Sequence, residues 1–133
     1  MVNMNRQIEF RGKRIDNDEW VYGYYVENKL GNHFIYEIER NGEFVWNSYE
    51  VDPLTVGQFT GLVDKNDVKI YEFDAILIPQ EDDELEFIVK WEEDLAQYIL
   101  FCESDNYYVD FDNYWSYNTE VVGNIFDKEN KDV

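Results

Sequence analysis

The sequence predicts an all-β protein, and three observations carry that prediction. Eleven tyrosines, nine phenylalanines and four tryptophans stand against only two prolines, a composition that favours pleated, half-buried strands. Turn signals recur about every ten residues, the rhythm of a barrel or sandwich rather than of βαβ units. No stretch holds a long helical period; TVGQF and NYWSYN at most make one turn each. An apolar share of 44% over 133 residues also supplies enough core to fold despite a net charge of −19.

The N-terminal section, residues 1–52, reads as a set of hairpins. Ile8 and Phe10 alternate with polar neighbours before a turn at Gly12. A strand follows from Trp20 to Leu30, in which Gly23 marks a bulge or a close backbone approach. HFIYEIER is the next strand, with Phe34, Tyr36 and Ile38 on one side and Glu37 and Glu39 on the other. Asn41-Gly42 is the clearest hairpin signal, and FVWNSYEV returns from it.

Asp52-Pro53 then blocks ladder pairing, and TVGQFTGL reads as a turn or connector. DKND at 64–67 is a polar turn into the strand VKIYEFDAILI, which Pro79 closes. A calcium loop would need an oxygen side chain and then Gly where Val68 and Lys69 stand, so a hydrogen-bonded turn is the better reading. LEFIVKW alternates, with Leu85, Phe87, Val89 and Trp91 on one face and Glu84, Glu86, Ile88 and Lys90 on the other. EEDL turns into AQYILFC, NYYVDFDNYW holds a short strand, EVVGNIF ends the ordered chain, and residues 128–133 form a disordered tail.

Charge narrows the function classes. Residues 1–69 hold eight basic and twelve acidic side chains, whereas residues 70–127 hold only Lys90 against sixteen carboxylates. Direct binding to a nucleic-acid backbone, which rests on Lys and Arg displacing counterions, is therefore not expected. A lone cysteine, Cys102, excludes an internal disulfide and fits a reducing compartment. The start of the chain has no signal-like apolar run and nothing reaches the length of a membrane span, so a cytoplasmic location is expected.

No catalytic constellation stands out. His33 is the single histidine, and Cys102 lies in the apolar run YILFC, where a buried, inert thiol is expected. Zinc lacks ligands and no P-loop lysine follows Gly57 and Gly61, so no cofactor and no catalytic residue is assigned. Carboxylates two apart on a strand lie about 6.8 Å apart on one face, against about 3.4 Å of axial rise per phosphate on a DNA strand. Glu81, Asp82, Asp83, Glu84, Glu86, Glu92, Glu93, Asp94, Glu103, Asp105, Asp110 and Asp112 thus form a candidate acidic interaction face. Glu81 to Glu84, or Asp110 and Asp112, also offer a weak divalent-cation site, with a solvated loop as the simpler reading. Tyr107, Tyr108, Tyr114, Trp115 and Tyr117 are candidate aromatic contacts or core residues, and Arg11, Lys13 and Arg14 are candidates for self-association with a neighbour's acidic face.

In order along the chain, IEFRGKRI, EWVYGYYVE, VDPLTVGQFTGLVDKNDVKIYEFDAIL, VKWEED and EVVGNIFD resemble the YopX family of phage and prophage proteins. The resemblance implies an all-β fold, a small SH3-like barrel over residues 53–127, and a phage or prophage origin in a bacterial host; it brings no catalytic residues. Two departures stand out: Phe73 replaces the glycine of IYEGD, and Asn66-Asp67 replaces Asn-Gly. The sequence therefore predicts a non-enzymatic protein acting through protein–protein contacts, either as an acidic DNA mimic on a basic or nucleic-acid-binding host protein or as a homo-oligomer. The alternative is a small-ligand-binding or carboxylate-based enzymatic β-barrel.

Overall fold

The computed structural model describes residues 7–79, 83–112 and 116–127. The expected tail, and the candidates Glu81, Asp82, Tyr114 and Trp115, lie outside these residues. The chain divides into two compact units, Met1–Phe59 and Thr60–Val133.

The first unit is an antiparallel sheet of β1 (Phe10–Lys13), β2 (Trp20–Glu27), β3 (His33–Arg40) and β4 (Glu43–Glu50), adjacent in that order. Asn28 ends β2 earlier than the strand pattern predicts, because its Oδ1 accepts the amides of Leu30 and Asn32 and sets a turn. Asn41 and Gly42 both take positive φ, 54° and 84°, as a two-residue hairpin turn requires. Gly23 marks the predicted close approach: a Cβ there would collide with the backbone carbonyl of Tyr36 on β3. A bulge between Glu37 and Glu39 shifts the β3–β4 register.

Asp52-Pro53 opens a 3₁₀ turn, Pro53–Thr55, capped by Asp52 through the Leu54 amide. Thr55 Oγ1 accepts the Lys13 amide at 2.8 Å and fastens this turn to β1. TVGQFTGL is not a connector. It enters strand β5 (Gly57–Val63), whose first residues pair with β1, Gln58 opposite Phe10 and Gly57 opposite Arg11. A partner more than forty residues away overrides the local glycine signal.

In the second unit VKIYEFDAILI is split into β6 (Lys69–Tyr71) and β7 (Asp74–Pro79) by a turn at Glu72–Phe73. A five-stranded antiparallel sheet follows, ordered β10 (Tyr107–Asp110), β9 (Gln97–Cys102), β8 (Glu84–Glu92), β7 and β11 (Glu120–Asn124). The all-β expectation is met. The SH3-like barrel is not confirmed: β10 and β11 end the strand order, and among the described residues no sheet closes. The core gathers Ile70, Ile76, Ile78, Phe87, Val89, Leu100 and Cys102, with Leu85 packed against it. Each large aliphatic or aromatic side chain so buried contributes about 1.5–3 kcal/mol.

Two buried carboxylates tie these strands. Asp64, 1% exposed, accepts the amides of Asn66 and Val68 on Oδ1 and of Val121 on Oδ2, at 2.8–2.9 Å. The DKND turn is therefore a hydrogen-bonded turn that also holds β11. Asp74 accepts the Tyr71 amide at 2.8 Å across the β6–β7 turn. At both departures from the family pattern the residue takes positive φ, 64° at Asp67 and 76° at Phe73. Phe73 lies edge-on to Phe126 with centroids 5.3 Å apart.

Candidate functional site

Strand alternation gives the N-terminal sheet two unlike faces. One carries buried Ile35, with Phe10 and Tyr25 in ring contact beside it. The other presents Tyr22, Tyr24 and Val26 on β2 and Tyr36 on β3, while the β4 bulge sets Phe44 opposite Glu39, on the side of Ile35; Phe44 and Trp46 are also exposed. Tyr24, Tyr36 and Ser48 stand level across the three strands. Phe44 and Trp46 are 73% and 70% exposed and stack with centroids 5.8 Å apart. Trp46 has φ +54°, a conformation that costs a non-glycine residue about 1–2 kcal/mol. Core packing does not explain it, since most of the side chain meets solvent. The β-bulge does: Trp46 lies between Asn47, opposite Glu37, and Phe44, opposite Glu39, where β4 carries one residue more than β3.

The predicted basic cluster is not an open cationic patch. Arg11 and Lys13 are only 7% and 8% exposed, with their cationic groups 4.5 and 5.3 Å from the Trp20 ring centre. Register brings this about, because Arg11 stands opposite Tyr22 and Lys13 opposite Trp20. Arg14 grips Asp16 through two hydrogen bonds, 2.9 and 2.7 Å, and lies over the Tyr49 ring. That hydrogen bonding raises the Arg14 pKa and lowers that of the Asp16 carboxyl. Arg40 holds Glu37 in the same way, and this bond lowers the Glu37 pKa with help from Asn47 and Tyr49.

A hollow of about 450 Å³ beside Arg14 is lined by Asp18, His33, Glu50 and Asp52. Its polar groups serve the fold: His33 Nδ1 is 2.6 Å from the Tyr25 hydroxyl, and Asp52 caps the 3₁₀ turn. Burial, followed by the charge of Glu27, raises the Tyr25 pKa. Cys102 is buried with its sulfur 3.3 Å from Ser104 Oγ. Among the described residues, no three His, Cys, Asp or Glu side chains are grouped to hold a metal ion.

The candidate carboxylates of the second unit form two groups. Glu84 and Glu86 open β8 on one face, and Leu77 carries the Glu86 row on to Glu120. Ile88 opposite Phe101 sets Glu86 level with Glu103, so Glu84, Glu86, Glu103 and Asp105 share one end of the sheet. Successive hairpins reverse, which puts Glu92, Glu93 and Asp94 at the other end. Asp110, opposite Ile99 and bound by Gln97 at 2.8 Å, lies toward that end, and Asp112 follows it. The span from Glu86 to Glu92 is about 20 Å. Between them run buried Ile88 and Ile99 and the Lys90 ammonium, 4.6 Å from the Phe101 ring centre. Exposed Asp83 caps the start of β8 through the Glu84 amide.

The candidate aromatics are also separated. Tyr107 meets Phe87 edge-on at 5.8 Å, and burial raises its pKa. Tyr108 points to the opposite face, level with Phe101, and Tyr117 is exposed in a turn. The aromatic face of the N-terminal sheet is the surface that sequence reasoning missed. Its signal was present in the period-2 run Tyr22, Tyr24, Val26.

Among the described residues, no helix is long and apolar enough to cross a membrane. The family model described as YopX protein matches residues 9–130. No curated protein matches the chain.

Proposed function

The chain belongs to the YopX family, and from that membership, which suggests a phage-type protein, we propose that it is a non-enzymatic interaction protein whose N-terminal aromatic face makes the contact. The exposed Tyr22, Tyr24, Val26 and Tyr36 on that face carry this reading, with the stacked, exposed Phe44–Trp46 pair at the β3–β4 end of the sheet. Tryptophan and tyrosine supply large contact area with little entropy to lose, and they dominate binding at protein interfaces. Exposed Tyr22, Tyr24, Val26 and Tyr36 on one sheet face form the kind of patch that marks an interaction site.

The acidic second unit sets the sign of the partner. Carboxylates steer a basic surface toward the chain and repel an acidic one. The narrower form of the reading is an acidic decoy for a nucleic-acid-binding host protein. It draws support from the group Glu84, Glu86, Glu103 and Asp105, and it requires only a short phosphate-like patch.

The test is photo-crosslinking in bacterial extract from a benzophenone amino acid replacing Tyr24 or Tyr36. Discrete adducts with other proteins are expected, and they should disappear when Tyr22→Ser and Val26→Ser, on the same face, are added. Adducts that persist in that background, or a lack of adducts from either position, would refute the reading. For the decoy form, reversing Glu84, Glu86, Glu103 and Asp105 to Lys should remove any captured nucleic-acid-binding protein; unchanged capture excludes it.

A further inference from the structure

The sheet edges are not alike. β4 carries a bulge with Trp46 at φ +54°, one of the devices that block strand addition. The edge of β11 is taken from within the chain, since Asp64 accepts the Val121 amide and the Thr119 carbonyl accepts the Lys65 amide. β10 differs from both. It runs against β9 without a bulge, from Tyr107 opposite Cys102 to Asp110 opposite Ile99, and among the described residues no strand lies beyond it. Phe111 continues that register and donates its amide to the Tyr98 carbonyl. Val109 and Tyr107 therefore turn their backbone groups toward β9, while Tyr108 and Asp110 each turn an N–H and a C=O outward.

The side chains at this edge say what would add to it. On the core side Val109 and Phe111 are only half-buried, and Tyr107 is partly exposed. On the outer side stand exposed Tyr108 and Asp110, and Gln97 donates to Oδ1 of Asp110. Exposed Glu103, Asp105 and Asp112 flank the strand, and residues 91–127 hold no lysine or arginine.

We propose that β10 accepts an added antiparallel strand from another protein, one that alternates lysine or arginine with apolar residues. Its cationic residues stand opposite Tyr108 and Asp110, exchange backbone hydrogen bonds with them, and meet a tyrosine ring and a carboxylate. Its apolar residues fall beside Val109 and extend the core. A second copy fits poorly, because it would bring two carboxylate-flanked edges together. The site stands apart from the aromatic face of the N-terminal sheet, so either reading can fail without the other.

Fluorescence anisotropy of the whole chain with a labelled peptide alternating lysine and valine tests this. That peptide is expected to bind, and its glutamate–valine counterpart is not. N-methylation at the lysines removes the donors that face β10 and should weaken binding about tenfold or more, whereas N-methylation at the valines should leave it unchanged. Tyr108→Pro deletes an outward N–H and no bond to β9. It should match that loss with the sheet intact by circular dichroism, and Tyr108→Ala should bind more tightly than it. No binding, or equal weakening by the two methylated peptides, overturns the proposal, and binding unchanged by either shows a peptide that merely condenses on acidic surface. A folded Tyr108→Pro variant that binds like the parent overturns it as well. So does sedimentation showing a dimer that Tyr108→Pro dissolves.

Discussion

Removing the Asp64 carboxylate should release β11, and the structure sets the size of the effect. One oxygen accepts the amides of Asn66 and Val68, and the other reaches Val121 at 2.9 Å, fifty-seven residues away in sequence. Hydrogen bonds to a charged group contribute about 1.5–3 kcal/mol each. Asn66 and Val68 are exposed, so water can replace their partner, whereas Val121 is half-buried. Asp64→Ala is therefore expected to cost about 2–4 kcal/mol in total. Asp64→Asn keeps an acceptor for the turn and points an amide nitrogen at the Val121 N–H, so about 1–2 kcal/mol is expected from that one loss. Urea unfolding at pH 7 measures both costs, and hydrogen exchange reads the Val121 amide directly. The reasoning fails if Asp64→Ala lies within about 0.5 kcal/mol of the parent, the range of an ordinary surface change. It fails equally if stability drops while Val121 keeps its protection, because the loss would then bypass the strand.

Two further predictions concern the turn and the N-terminal sheet. Phe73→Ala keeps the left-handed backbone and loses the Phe126 contact, whereas Phe73→Gly loses the contact and relieves the strain, so thermal denaturation should rank glycine above alanine by about 1 kcal/mol; alanine equal to glycine would refute the strain argument. The lowered Glu37 pKa means that its bonds stabilise the fold above the ordinary carboxyl range and lose that contribution as pH falls through the folded value. The parent should therefore lose more stability than Glu37→Gln between pH 7 and pH 3 in urea titrations, and parallel losses would show that Glu37 contributes nothing.

Features that local chemistry decides were legible in the sequence. Asn41-Gly42 makes its hairpin, Gly23 lies where another backbone passes, and the alternation of LEFIVKW buries Phe87 and Val89 as expected. Features that pairing decides were not. Gly57 and Gln58 join a strand because β1 lies beside them, and sheet closure depends on whether distant edge strands meet. The candidate surfaces misled for the same reason. HFIYEIER has apolar side chains on both faces, so the pattern alone does not say that Ile35 is buried and Tyr36 exposed. Arg11 and Lys13 read as a solvated cluster until the register sets Trp20 beside them. The acidic array read as one face until the reversing hairpins divided it between two ends of a sheet.

This pattern bears on what the family match carries. The stretch that most strongly resembles the family, TVGQFTGLVDKN followed by IYEFD, supplies Asp64, Asp67, Phe73 and Asp74, and each of them builds a turn. None belongs to the exposed aromatic face. Asp67 and Phe73 take the positive φ that glycine would take most cheaply, so these turns form here without glycine. Membership in the family therefore speaks for the scaffold. The contact reading proposed above rests instead on β2 and β3, where Tyr24 and Tyr36 make none of the hydrogen bonds that build those turns.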